Sequence, residues 1–255
     1  MVGSSSASSQ GERTAPETAC MQPAPATGDL PDDDLEAEVL DDGGGSTSAH
    51  AAPHEQAQPL PSPVGPIIFV LGPPGSGKTT VCARLAQRFG CRVLSAPDLM
   101  RAAVQAGGTQ GTMIQNMIKS GQIVPAQVTL NLLLAAMRDC HAPAYLFDSF
   151  PRSIDNLEAF EAQAGRCAAA LVLDADEELL TARLLERGQT SGRTDDNRET
   201  IGRRFKTYLQ QALPVIDSLA LRGQVTRLDA SLSLQQVCTA ADEAYEIAVP
   251  VTSSG

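Results

Sequence analysis

The 255-residue sequence contains no apolar run near the ~18 residues of a membrane span. Its N-terminus lacks the apolar core of a secretory signal. Only Arg13 precedes Arg84, too few for an Arg-rich transit peptide, so the chain reads as cytosolic, with organelle import the lesser alternative. The six cysteines (20, 82, 91, 140, 167, 238) include no CxxC pair and read as reduced, partly buried small hydrophobes. Two of the three histidines, His50 and His54, fall in the first quarter of the chain, which argues against any His/Cys zinc cluster. No basic stripe exists and the net charge is −11, which argues against nucleic-acid binding.

Bases are scarcest before residue 66. That stretch is rich in Ser, Ala, Pro and Gly, carries no aromatic residue, and holds eleven acids against one base. Its −10 leaves only −1 of the total −11 for everything that follows. Low hydrophobicity with charge of one sign predicts a disordered acidic tail over 1–65, because too little apolar surface offsets chain entropy. The tail is also a candidate for binding a partner. Residues 66–250 are the size of one domain, expected to be monomeric.

That part alternates. PIIFVLG, CRVLS, AYLFD, CAAALVLDA and QVTRLDA are short apolar strands. Helical periods fall over Gly77–Phe89, Asp98–Ala106, Thr112–Lys119, Pro125–Arg138 and Ile154–Gln163. Further helices are expected over EELLTARLLERG, ended by Gly188, over Glu199 to about Leu221, and over Leu234–Ile247. Apolar strands alternating with helices predict an α/β fold, a P-loop NTPase-type parallel sheet with helices on both faces. A helix-only insert at 96–124 and a short polar loop at 188–198 interrupt it and are candidate mobile lobes.

Between the first strand and helix lies GPPGSGKT, Gly72–Thr79, matching G-x-x-x-x-G-K-[ST] in the context that motif requires. Backbone N–H groups of Gly72, Pro73, Pro74, Gly75, Ser76 and Gly77, where an N–H exists, would face phosphate oxygens at a helix N-terminus. Lys78 would reach the outer phosphates, and the hydroxyl of Thr79 or Thr80 would ligate Mg²⁺. Asp148 ends a neighbouring strand at the same sheet edge, where a carboxylate suits a water-mediated Mg²⁺ contact. Arg101, Arg152, Arg187, Arg193 and Arg204 all lie on segments at that edge. Guanidinium groups grip phosphates bidentately, and phosphoryl transfer to an already ionised acceptor needs charge compensation but no general base.

These residues resemble the nucleoside monophosphate kinases of the adenylate kinase and UMP-CMP kinase group. The similarity runs from about Ile67 to Val237 through GPPGSGKTT, LSAPDLMR, GQIVP, FDSFPRSIDN, LLERGQTSGRTDDNRETIGRRFKTY and PVID. It implies a P-loop sheet, a helical lobe for the monophosphate and, from QTSGRTDDN, a lid of the short type. Carried over by residue, Gly72 to Thr80, Arg187 and Arg193 would bind ATP. Ala96, Arg101, Arg152, Asn156 and Arg204 would bind the monophosphate. Lys78, Arg152, Arg193 and Arg204 would be catalytic, and Asp195 and Asp196 would orient lid arginines on closure. Asn156, where adenylate kinases usually carry Gln, favours a pyrimidine acceptor.

Three family glycines are replaced, by Thr79, Pro97 and Ser149. The last two touch the acceptor side: Pro97 removes an N–H, and Ser149 is strained if its φ is positive. The expected activity is ATP-dependent phosphorylation of UMP, CMP or dCMP with Mg²⁺. An AMP-specific kinase and a catalytically weak nucleotide-binding scaffold remain as alternatives at this stage.

Overall fold

The computed structural model describes residues 65–119, 124–140, 142–191 and 196–249. All of the expected acidic tail except Gly65 lies outside the described residues, as do Arg193 and Asp195.

Five strands form one parallel sheet in the order β2-β3-β1-β4-β5. They are β1 (Ile67–Leu71), β2 (Arg92–Ser95), β3 (Tyr145–Asp148), β4 (Ala169–Asp174) and β5 (Val225–Asp229). The central strand explains why the sheet needs cover on both sides. Ile67, Phe69 and Leu71 of β1 belong to one buried cluster, whereas Ile68 and Val70 belong to another. Successive side chains point to opposite faces, so an unbroken apolar strand is buried twice.

One face carries α4 (Ala126–Arg138), α5 (Ile154–Ala164) and α8 (Leu213–Leu221). Its centre is a ring cluster in which Phe69, Phe147, Phe150 and Phe160 meet at centroid distances of 5.0–6.3 Å, mostly edge to face. Such a ring truncated to Ala costs about 3–5 kcal/mol. The other face carries α1 (Lys78–Phe89) and α9 (Leu234–Ala248). These two are joined by the stacked rings of Phe89 and Tyr245, 4.3 Å apart, and by Arg84 and Arg88 on the buried Asp242.

A third, small cluster consists of Leu180 and Leu184 of α6 (Glu177–Ser191) with Ile201 and Phe205 of α7 (Arg198–Thr207). It fixes the helix pair that flanks the polar loop. Within 96–124 lie α2 (Ala96–Ala106) and α3 (Gly108–Lys119). Ser95 caps α2 through a bond from the Asp98 N–H, and Pro97 sits in the first turn, where its missing N–H costs no helical bond.

Three helices differ most from the sequence reading. α3 begins at Gly108 rather than Thr112, at a pair of glycines, Gly107 and Gly108, that both have φ of 75°. α6 does not stop at Gly188 but runs through it to Ser191. There the glycine serves a close approach: a Cβ would lie 2.9 Å from both the Cβ and the carbonyl oxygen of Asp196. The helix expected from Glu199 to Leu221 is interrupted by a π-helical turn, Tyr208–Ala212, in which the Leu213 N–H donates to the Tyr208 carbonyl. Pro214 follows at once and has no N–H to continue the α-helical ladder, so the turn widens ahead of it.

Candidate active site

Parallel pairing brings the carboxyl ends of three strands level. Asp148 lies opposite Val70 of β1 and opposite Ser95 of β2. The loop Gly72–Gly77, the first residue of α2 and the segment after β3 therefore open onto one edge of the sheet.

The loop is folded tightly. Gly72 has φ 143°, and a Cβ there would lie 2.3 Å from the Leu173 carbonyl oxygen of β4, so no other residue fits without moving the sheet. Lys78 Nζ donates to the carbonyls of Gly72 at 2.9 Å and Pro73 at 2.8 Å, and lies 3.4 Å from Ser76 Oγ. The ammonium thus sits over its own loop, where the first residues of α1 concentrate positive potential.

Of the two threonines after Lys78, Thr79 is the one that reaches the acid. Its hydroxyl donates to Asp148 Oδ2 at 2.7 Å. Thr80 lines a groove between α1 and α9 with Ala83, Arg84, Leu234 and Cys238. Beneath the loop, burial and then the charge of Asp148 push the Cys82 thiol well up, against the lowering pull of Lys78. That thiol is inert packing.

Ser149 carries φ 60°, the only described non-glycine residue with positive φ. The conditional cost recognised from the sequence therefore applies, about 1–2 kcal/mol. Its hydroxyl donates to Asp148 Oδ1 at 3.0 Å, and its carbonyl accepts from Arg152 Nε at 3.2 Å. Sequence reasoning treated Ser149 only as a liability and missed this bond; nothing in the residue pattern signals where a serine hydroxyl will point.

On the acceptor side, Ala96 is the buried first residue of α2 and Arg101 pairs with Asp98 one turn earlier. Asn156 lies in the first turn of α5, where its Nδ2 donates to the N-cap hydroxyl of Ser153 at 2.8 Å. Its amide is half-buried and oriented from the helix start, not free on an exposed face.

The two remaining described arginines of the expected site, Arg187 and Arg204, converge on one carboxylate. Arg187 Nε and Nη2 donate to Asp196 Oδ2 and Oδ1 at 2.7 and 2.8 Å, and Arg204 Nη1 donates to Oδ1 at 3.0 Å. Leu184 and Ile201 of the small cluster lie three residues before Arg187 and Arg204, so packing of α6 on α7 aims both guanidinium groups the same way. Burial would raise the Asp196 carboxyl, but bonds and charge from Arg187 and then Arg204 outweigh it and hold it below its ordinary 3.8.

A metal would have to share its ligands with something else. Among the described residues no group of three His, Cys, Asp or Glu side chains could hold one. Thr79 Oγ and Asp148 nevertheless supply hard oxygen donors at the loop mouth, the ligand type Mg²⁺ takes with phosphates and water. The donor set fits that ion.

Among the described residues no helix is long and apolar enough to cross a membrane. Comparison with known proteins gives the lineage. Residues 70–224 match the family model described as adenylate kinase. UMP-CMP kinase 3 of Oryza sativa subsp. japonica is 46% identical over 173 residues, spanning 67% of this chain and 81% of that protein. UMP-CMP kinase of Gallus gallus is 44% identical over 180 residues, spanning 67% and 92%. Adenylate kinase isoenzyme 1 of Sus scrofa is 42% identical over 182 residues, spanning 69% and 94%. The match covers the loop, the acid-ended strand and the paired arginines, and the chain belongs to the adenylate kinase family, as a nucleoside monophosphate kinase.

Proposed function

We propose that the chain transfers the terminal phosphoryl group of ATP to UMP, CMP or dCMP. The observation that carries this reading is the Thr79–Asp148 bond, which joins the phosphate loop to the acid-ended strand leading through Ser149 to Arg152; α6, whose Arg187 pairs with Asp196, packs Leu180 and Leu184 close against Gly75 of the same loop. Gly72–Gly77 and Lys78 would hold the donor phosphates, with Thr80 at the loop's far end. Arg187 and Arg193 would hold ATP against the lid. Arg101 and Arg152 would hold the acceptor phosphate, with Ala96 and Asn156 against its nucleoside.

An acceptor phosphate oxygen attacks the terminal phosphorus of ATP as the bond to the bridging oxygen breaks. Two diphosphates result, and no proton needs to be removed from the attacking group. Lys78, Arg152, Arg193 and Arg204 compensate the charge spread over the moving group's oxygens. Closing the short lid excludes water, the competing acceptor. Mg²⁺ bound with ATP would neutralise the outer phosphates; Thr79 would hold it directly and Asp148 through water.

Asn156 supports the pyrimidine choice, its short amide offering a donor and an acceptor to a base edge. Relatives named UMP-CMP kinase point the same way, whereas those named adenylate kinase isoenzyme 1 support AMP as the second reading. The five described cysteines are buried and none is disulfide-bonded to another described residue, which supports a reducing, cytosolic setting. A coupled assay of ADP formation with CMP, UMP, dCMP and AMP in turn tests the proposal; AMP outrunning CMP tenfold would replace it with the second reading.

A further inference from the structure

Ser149 spends each of its polar groups on a different part of the site. Its N–H donates to the Val70 carbonyl at 3.1 Å, on the strand that runs into the phosphate loop. Its hydroxyl donates to Asp148 Oδ1 at 3.0 Å, and its carbonyl accepts from Arg152 Nε at 3.2 Å. From the other side Thr79 donates to Asp148 Oδ2 at 2.7 Å. Thr79 and Ser149, two of the positions where the family resemblance expects glycine, thus grip the two oxygens of one buried carboxylate.

We propose that Ser149 is a positioning residue that fixes the Asp148 carboxylate for a divalent cation and ties it to Arg152. The inference rests on the kinase reading above. The terminal torsion of Asp is soft, so one hydroxyl would leave its plane free to turn; two on different oxygens set it. Each hydroxyl gives its only proton to Asp148 and keeps lone pairs alone to present outward. The resulting cluster carries oxygen acceptors, the donor set a hard cation requires. The backbone of Ser149 keeps a conformation that glycine adopts without strain, and such outliers persist at sites where geometry is held for function. Through the carbonyl of the same residue, the carboxylate that faces the donor metal and the arginine that faces the acceptor phosphate share one anchor.

The test uses the full chain with Ser149→Gly and Ser149→Ala. Mn²⁺ binding in the presence of ADP is read as free Mn²⁺ by electron paramagnetic resonance. ADP binding in EDTA and the melting temperature are measured alongside. Mn²⁺ affinity is expected to fall about tenfold in both variants, as for other groups that orient a metal ligand, with ADP affinity in EDTA kept within about twofold. Ser149→Gly should melt no lower than the parent, since it relieves the positive φ. Mn²⁺ affinities within about twofold of the parent in both variants would overturn the inference alone. So would a loss of Mn²⁺ matched by an equal loss of ADP in EDTA, or a drop in melting temperature for Ser149→Gly. Failure of the parent to bind Mn²⁺ with ADP would overturn the kinase reading and the inference together.

Discussion

Arg187 faces Asp196 in a two-pronged pair, Nε to Oδ2 at 2.7 Å and Nη2 to Oδ1 at 2.8 Å, and Arg204 closes on the same carboxylate from α7. The carboxylate is fully buried and Arg204 is 5% exposed, whereas Arg187 remains 37% exposed at the side chain. Asp196→Asn leaves a buried guanidinium facing a neutral amide, an imbalance that costs about 3 kcal/mol or more. The variant should melt well below the parent at pH 7 by calorimetry.

The same pair sets an acid limit. Because the Asp196 carboxyl is held below its ordinary 3.8 in the folded chain, its stabilisation is complete above that value. It is lost as pH falls through the lower, folded value. In thermal melts taken at falling pH from 6 downward, the gap between parent and Asp196→Asn should therefore narrow once pH drops below 3.8. A gap that stays constant across the range would contradict this origin of the stability.

Gly188 is required by space rather than by conformation. A Cβ there meets the Asp196 backbone at 2.9 Å, so Gly188→Ala should push Asp196 off both arginines at a cost of about 1–3 kcal/mol, the range for overpacked sites. Turnover should fall with it. Unchanged melting temperature and kcat would show that the contact yields without loss.

Lys78 lies over the phosphate loop and is assigned to the outer phosphates of the donor. Lys78→Ala should lower kcat by about 10²–10³-fold or more, the loss typical of removing one preorganised charge-stabilising donor. Its melting temperature should stay near the parent's, because the ammonium is bonded to the carbonyls of its own loop.

Asn156→Gln lengthens by one methylene the amide proposed to meet the base. The ratio of kcat/KM for AMP to that for CMP should rise, by roughly the 10-fold that one methylene commands in a fitted pocket. A ratio left unchanged would remove Asn156 from base selection and return it to capping α5.

The strands β1, β3 and β4 are readable from the sequence because a twice-buried parallel strand is a short apolar block with β-branched and aromatic residues, as IIFVL and YLFD show; the less buried edge strands β2 and β5 are legible from their place in the alternation with helices. The phosphate loop is readable because each of its residue types has a backbone or charge reason at a fixed spacing. What escapes the sequence depends on distant partners. Gly188 reads as a helix stop by propensity, yet its need comes from Asp196, eight residues on. The π-helical turn follows from Pro214, but the periodicity of the flanking residues hides it. The sequence offers the hydroxyl of Thr79 or Thr80 as the Mg²⁺ ligand, and only the direction of α1 decides which reaches Asp148. Ser149 shows the same limit: its backbone strain could be anticipated from a replaced glycine, its bond to Asp148 could not.

The central claim is that one sheet edge brings ATP and a pyrimidine nucleoside monophosphate together for direct transfer. Steady-state kcat/KM for CMP, UMP, dCMP and AMP, each with saturating ATP and Mg²⁺, tests it most directly. The account predicts CMP or UMP ahead of AMP by about tenfold or more. AMP in the lead, or no monophosphate phosphorylated at all, would contradict it.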